Sequence, residues 1–74
     1  MTVTIEPKIQ LEMGKRLREI RERKQLSQED IAKATGMSST YYAGIERGEE
    51  NPTLAILYSL CKALKVKSSE FQPF

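Results

Sequence analysis

The chain has 74 residues, 39% hydrophobic and 30% charged, with a formal net charge of +2, so it forms one small domain and has no room for a large enzyme core. It carries no His, no Trp and a single Cys, Cys61, which excludes a disulfide framework or a Cys/His zinc site within one chain and removes the commonest general base. No apolar run approaches the roughly 18 residues of a membrane span, and no basic stretch precedes an apolar leader, so a reducing cytoplasm without membrane contact is expected.

Charge is unevenly spread along the chain. Residues 1–24 carry a net +3, residues 25–50 a net −3 and residues 51–74 a net +2. Residues 1–7 alternate Thr2, Val3, Thr4 and Ile5 before Pro7, a stretch too short to pair with itself, and are expected to form a flexible arm ahead of a domain spanning residues 8–74. In residues 8–24, Ile9, Met13, Leu17 and Ile20 recur every three or four positions, the stripe of an amphipathic helix. Lys15, Arg16, Arg18, Arg21, Arg23 and Lys24 occupy its other faces, either as a solvated surface or as a surface for nucleic acid.

Ser27 before Gln28, Glu29 and Asp30 has the chemistry of a helix start, because its oxygen caps free N–H groups and the acids complement the dipole. A second helix of about residues 28–35 is expected, ended by Gly36 in the left-handed conformation. Ser38 repeats the cap before a third helix of about residues 39–47, which Gly48 terminates. Pro52 disfavours helix at Asn51, and Thr53 caps a fourth helix to about residue 65 whose core stripe is Leu54, Leu57, Leu60, Cys61 and Leu64. Cys61 on that stripe is expected to be an inert packed thiol. A fifth, short turn from Ser68 or Ser69 folds Phe71 onto the core. The expectation is an all-α domain of five helices without a sheet.

Two short helices joined through Gly36, with a capped second helix, form a helix-turn-helix, whose second helix enters a major groove. The segments Leu26-Ser27-Gln28-Glu29-Asp30-Ile31-Ala32, Gly36-Met37-Ser38, Gly44-Ile45-Glu46-Arg47-Gly48, Asn51-Pro52-Thr53-Leu54 and Ala63-Leu64-Lys65-Val66 all stand in register with one family. In them the chain resembles the Cro/C1-type (XRE) helix-turn-helix regulators of bacteria and phages, over about residues 13–71. Residues 40–48 are most similar to the controller proteins of restriction-modification systems, although Ser39 and Glu50 replace basic residues found there. The resemblance implies a compact, lambda-repressor-like five-helix fold and a homodimer that binds double-stranded operator DNA, with no catalytic residue, no metal, no cofactor and no small-molecule ligand.

On that reading the exposed start of the third helix meets base edges through Ser39, Thr40, Ala43 and Tyr41, with Gly44 as a small neighbour. Gln28 matches a family glutamine that contacts backbone phosphate, and Ser38, Lys33, Arg47 and Asn51 fall near the same edge. Arg16 and Arg18 have either the backbone or solvent as partner. The resemblance also implies a structural ion pair between Arg21 and Glu46, and it raises a contact between RNA polymerase and Glu29 and Asp30, whose simpler role is to cap. Tyr42 is expected in the core. Steps of 100° put Ala55, Ile56, Ser59 and Ala63 on a face of the fourth helix away from its stripe, where a second copy is expected. The alternative is an antitoxin that represses its own promoter and binds a toxin, which needs an extra segment that the seven-residue arm supplies poorly.

Overall fold

The computed structural model describes residues 6–74, and the first five residues of the expected arm lie outside the described residues. Four α-helices follow in order: α1 (Pro7–Arg23), α2 (Gln28–Thr35), α3 (Ser39–Glu46) and α4 (Leu54–Leu64). The expected fifth helix is instead a single 3-10 turn, Ser68–Glu70, because Pro73 leaves too little chain to propagate a helix past it. No strand occurs among the described residues.

Local chemistry accounts for most boundaries. Pro7 is the first residue of α1, where its missing N–H is no loss and its fixed φ suits the helix, so α1 begins one residue earlier than the apolar stripe implies. It ends with Gln25 left-handed at φ 58°, while the N–H groups of Gln25 and Leu26 donate to the carbonyls of Glu22 and Arg21 at 3.0 and 3.2 Å. This pair of bonds closes the helix as a Schellman motif. Ser27 and Asp30 cap α2 reciprocally, the Asp30 N–H donating to Ser27 Oγ at 3.0 Å and the Ser27 N–H to Asp30 Oδ2 at 2.8 Å. Gly36, at φ 75°, ends α2 as expected. Ser38 and Thr53 accept the cap bonds of α3 and α4. α3 stops at Glu46 with Arg47 as its cap, shorter by a residue than the spacing predicts.

The core joins Met13, Leu17 and Ile20 of α1 to Ile31 of α2, Tyr42 and Ile45 of α3, Leu60 and Leu64 of α4, and Phe71 beyond the 3-10 turn. Each such side chain contributes roughly 1.5–3 kcal/mol relative to exposure. Two expectations for α4 need correction. Leu54 is 81% exposed, because it stands in the first turn of α4, rotated by about 80–120° from Leu64 and Leu60. Ile56 is half-buried and packs against the core, so it does not lie on an outward face. Cys61 is half-buried at the core edge, and burial pushes its thiol pKa upward.

Gly14, in the middle of α1, sets how closely α1 approaches the end of α3. A methyl group there would meet the Ile45 carbonyl oxygen at 2.5 Å and overlap that of Glu46. Both obstacles are backbone, which cannot rotate aside. Gly14→Ala should therefore cost about 1–3 kcal/mol through overpacking, despite the better helix propensity of Ala. Urea unfolding checks this, and a variant as stable as the parent would show that α1 does not rest on the end of α3.

Candidate nucleic-acid interface

The left-handed Gly36 turns the chain between α2 and α3 and leaves the start of α3 outward, with Ser39 and Thr40 exposed and Ala43 half-buried. These three residues, with Gln28, Glu29 and Arg47, line an open groove of about 340 Å³. Two hydroxyls and a methyl therefore stand next to an amide and a guanidinium, the mixture that meets base edges on one side and phosphate on the other. The groove brings together Ser39, Thr40 and Ala43 from the readout set and Gln28 and Arg47 from the phosphate set.

The other predicted residues are placed differently. Tyr41 is half-buried with its ring against the core. Tyr42, next to it, is fully buried as expected. Gly44 is also buried, with the Glu50 side chain directly over it, so it offers no surface to a base. Ser38 is exposed, and its oxygen already accepts the Tyr41 N–H at 3.0 Å, which leaves its hydroxyl proton to donate. Lys33 is exposed on α2 but does not line the groove. Asn51 faces a separate apolar crevice with Ile9, Met13, Pro52, Leu57 and Phe74. Glu29 stands at the groove lip, whereas Asp30 is engaged by Ser27. The backbone and side-chain hydrogen bonds from Ser27 hold the Asp30 carboxyl below its ordinary pKa.

Behind the groove lies the expected ion pair. Arg21 Nε donates to Glu46 Oε2 at 2.6 Å and a terminal nitrogen donates to Oε1 at 3.1 Å, a bidentate fork. The side chains are only 12% and 3% exposed. A further Arg21 nitrogen donates to the Leu26 carbonyl at 2.8 Å, and Gln28 Nε2 donates to Glu46 Oε1 at 3.0 Å. Burial alone would raise the Glu46 pKa, but the converging hydrogen bonds, led by Arg21, hold it below the ordinary value. The Tyr42 hydroxyl is buried against this cluster without a well-formed hydrogen bond. Burial first, and the Glu46 carboxylate second, push its pKa far above that of a free phenol.

Three features escape a reading by spacing alone. Gln28 is tied to Glu46 and is not a loose first-turn residue. Gly14 admits α3, a role that an isolated helical glycine signals. Arg18 lines a second groove, of about 370 Å³, with Arg21, Gln28, Glu46 and Arg47; its spacing of three from Arg21 puts both on one side of α1. Arg16, one residue before the buried Leu17, reaches Glu12 and the Gln72 carbonyl instead. On α4, Ala55 is exposed, Ser59 and Ala63 are half-buried, and Ser59 Oγ donates to the Ala55 carbonyl at 3.1 Å. The most exposed apolar side chains of that helix are Leu54 and Tyr58, the latter 64% exposed and capped by the Lys62 ammonium 5.5 Å from its ring centre.

Comparison with known proteins agrees with this geometry. The family profile described as Helix-turn-helix matches residues 17–71. The chain is 38% identical over 58 residues to y4dJ, an HTH-type transcriptional regulator of Sinorhizobium fredii, covering 78% of this chain and 75% of the relative. Control protein C.SmaI of Serratia marcescens is 40% identical over 52 residues, covering 70% of this chain and 62% of the relative. The crystal structure of the restriction-modification controller protein C.AhdI from Aeromonas hydrophila superposes with a TM-score of 0.80 at 39% identity, covering 82% of this chain and 92% of that one.

The pair has a signature in stability. Arg21→Ala would leave the Glu46 carboxylate buried without its main partner, at a cost of about 3 kcal/mol. Because the folded Glu46 carboxyl lies below its ordinary value of 4.5, the unfolded chain binds the proton more readily. Its stabilisation is therefore complete above that value and is lost as the pH falls through the lower folded value. Denaturant midpoints measured from pH 7 to pH 2.5 should show a shallower acid decline for Glu46→Gln than for the parent; parallel curves would mean that the pair does not couple folding to protonation.

Proposed function

Because this chain belongs to the helix-turn-helix family, we propose that it is a sequence-specific transcriptional regulator that binds operator DNA as a homodimer, of the kind that controls restriction-modification systems. One observation carries the reading: Ser39, Thr40 and Ala43 face outward beside Gln28 and Arg47 in a single groove, and the Gln28 amide is held by a buried ion pair. Short side chains at the start of α3 suit direct readout in a major groove, while Gln28 and Arg47 suit the flanking backbone. The likeness to C.SmaI and C.AhdI supports the controller assignment.

One such domain reads only a few base pairs, and a two-fold pair doubles the site. The outward strip of α4, with Leu54, Ala55 and Tyr58 exposed, is a surface that a second copy would cover, joined at its edge by Ser59 and Ala63. Ile56 supports that strip from the core side and is not its centre. Two-fold pairing would place the recognition helices at half-sites roughly 34 Å apart.

Readout is tested with two duplexes: one selected from a random pool by the parent chain, and a scrambled version of it. Ser39→Ala and Thr40→Ala should each lose up to about 1–3 kcal/mol on the selected duplex and much less on the scrambled one. Gln28→Ala should weaken both alike. Unchanged discrimination in the Ser39 and Thr40 variants would remove α3 from the reading surface.

Pairing is tested by sedimentation. Tyr58→Glu, which adds charge to the outward strip without touching the core, should convert a dimer into a folded monomer. A dimer that survives both this change and Leu54→Glu would place the two-fold elsewhere.

A further inference from the structure

Thr40 and Gly44 stand four residues apart on α3 and so share one row of that helix, beside the row of Ser39 and Ala43. A helical Cβ leans toward the helix N-terminus, which at position 44 is toward Thr40. A methyl group built on Gly44 would meet Glu50 Cγ at 2.9 Å and Oε1 at 3.6 Å. The Glu50 side chain, reaching in from the loop after α3, therefore takes the place that a side chain at position 44 would have. We propose that Glu50 is a specificity-determining residue of the DNA interface, whose carboxylate continues the row of Thr40 and accepts a hydrogen bond from the exocyclic amino group of a cytosine. The inference rests on the DNA-binding reading above and adds to it a residue outside α3 and the base that it selects.

Glu50 is held in place before any ligand arrives. Its carbonyl accepts from Gln10 Nε2 at 3.1 Å, which ties the loop to α1, and Pro52, two residues on, is buried. The half-buried Glu50 stem lies on the bare backbone of Gly44, so little side-chain freedom remains to be lost on binding. Its acidic end is free. Glu46, Glu49 and Asp30 spend their oxygens on Arg21, Arg47 and the Ser27 N–H, whereas among the described residues the Glu50 carboxylate makes no hydrogen bond or ion pair. The exposed Arg47 guanidinium, bonded to Glu49, also feels the charge of Glu50, which tempers the repulsion between that carboxylate and a duplex.

An ionised carboxylate can only accept hydrogen bonds. In the major groove cytosine presents an amino donor, guanine and thymine present acceptors, and adenine presents a donor beside an acceptor. The charge that attracts cytosine therefore repels guanine and thymine, and adenine in part. The Ser39 and Thr40 hydroxyls donate or accept equally, so a fixed carboxylate next to them adds a choice that they do not make.

Fluorescence anisotropy tests this with the selected duplex and a panel carrying each single-base change of it. The parent should prefer cytosine at one position by about tenfold over guanine or thymine. Glu50→Ala should flatten that position alone, and Glu50→Gln should move its preference to adenine, whose N6 and N7 an amide pairs with. Gly44→Ala, which displaces the Glu50 side chain but keeps its charge, should flatten the same position, with no further loss when combined with Glu50→Ala. Should Gly44→Ala fail to fold, the two Glu50 variants decide alone. The proposal is overturned if the parent shows no such cytosine preference, or if a folded Gly44→Ala keeps it. It is equally overturned if both Glu50 variants tighten every duplex by one factor and leave all preferences intact, since Glu50 would then act only as a charge. If Ser39→Ala and Thr40→Ala still erode discrimination in that case, only the role of Glu50 falls. If the parent chain distinguishes none of the duplexes, the DNA-binding reading falls with it.

Discussion

The contact between Arg21 and Glu46 is the constraint on which the arrangement of the domain depends. It joins the last turn of α1 to the last residue of α3, and the same guanidinium holds the Leu26 carbonyl in the turn that leads to α2. The same carboxylate holds Gln28 at the start of α2. Three helices thus have their ends fixed on one pair of side chains. The pair exists only because Gly14 lets α1 lie against the Ile45 and Glu46 carbonyls; a side chain at position 14 would move the arginine away from its partner. Two apolar residues could replace the pair without loss of stability, since desolvation offsets much of its Coulomb energy. They could not, however, orient the Gln28 amide, and orientation is what links this interior contact to the surface groove.

What could be read from the sequence divides along the range of the interaction. Ser27, Ser38 and Thr53 announce helix starts because a cap is made within four residues, and Gly36 announces an end because only the local φ matters. The end of α1 is less visible, since the left-handed position is held by Gln25, a residue without that preference. Leu54 misleads because spacing identifies a stripe without saying how far along the helix its neighbours extend. It stands in the first turn of α4, about 80–120° round from Leu64 and Leu60, whereas Ile56, expected on the outward face, lies one turn from Leu60 and packs against the core. Tyr41 and Tyr42 illustrate the same limit: adjacent aromatics on a short helix must diverge by 100°, and burial of the second sets the first partly against the core. The placement of Ser39, Thr40 and Ala43 along one groove is legible because the turn at Gly36 fixes which face of α3 is free. For Arg18 the sequence offers backbone or solvent and spacing does not choose, because the groove that it lines is closed by residues from three helices far apart in sequence.

Charge shows most clearly how folding reassigns a property of the sequence. The acidic stretch of residues 25–50 would oppose a polyanion if its carboxylates faced outward together. They do not: Glu46 is buried and matched by Arg21, Asp30 is folded back onto the Ser27 backbone, and Glu49 is paired with Arg47. Glu50 lies over Gly44 while its carbonyl accepts from Gln10 Nε2 at 3.1 Å. Of these carboxylates only Glu29 lines the groove at the start of α3.

A net charge of +2 gives such a surface little long-range pull, and a modest field weakens non-specific attachment, which is almost wholly electrostatic. Discrimination then depends on contacts made at hydrogen-bonding distance. Such contacts are effective only if their side chains are held in place before DNA arrives, because ordering them on binding costs affinity. Ser39 and Thr40 meet this requirement by position, being short side chains on the first turn of a helix capped by Ser38. Gln28 is long and would otherwise sample many rotamers, and it meets the requirement only through Glu46. The buried pair therefore acts on this surface as well as on packing: it limits the freedom of Gln28, which together with Arg47 is shared by the two grooves.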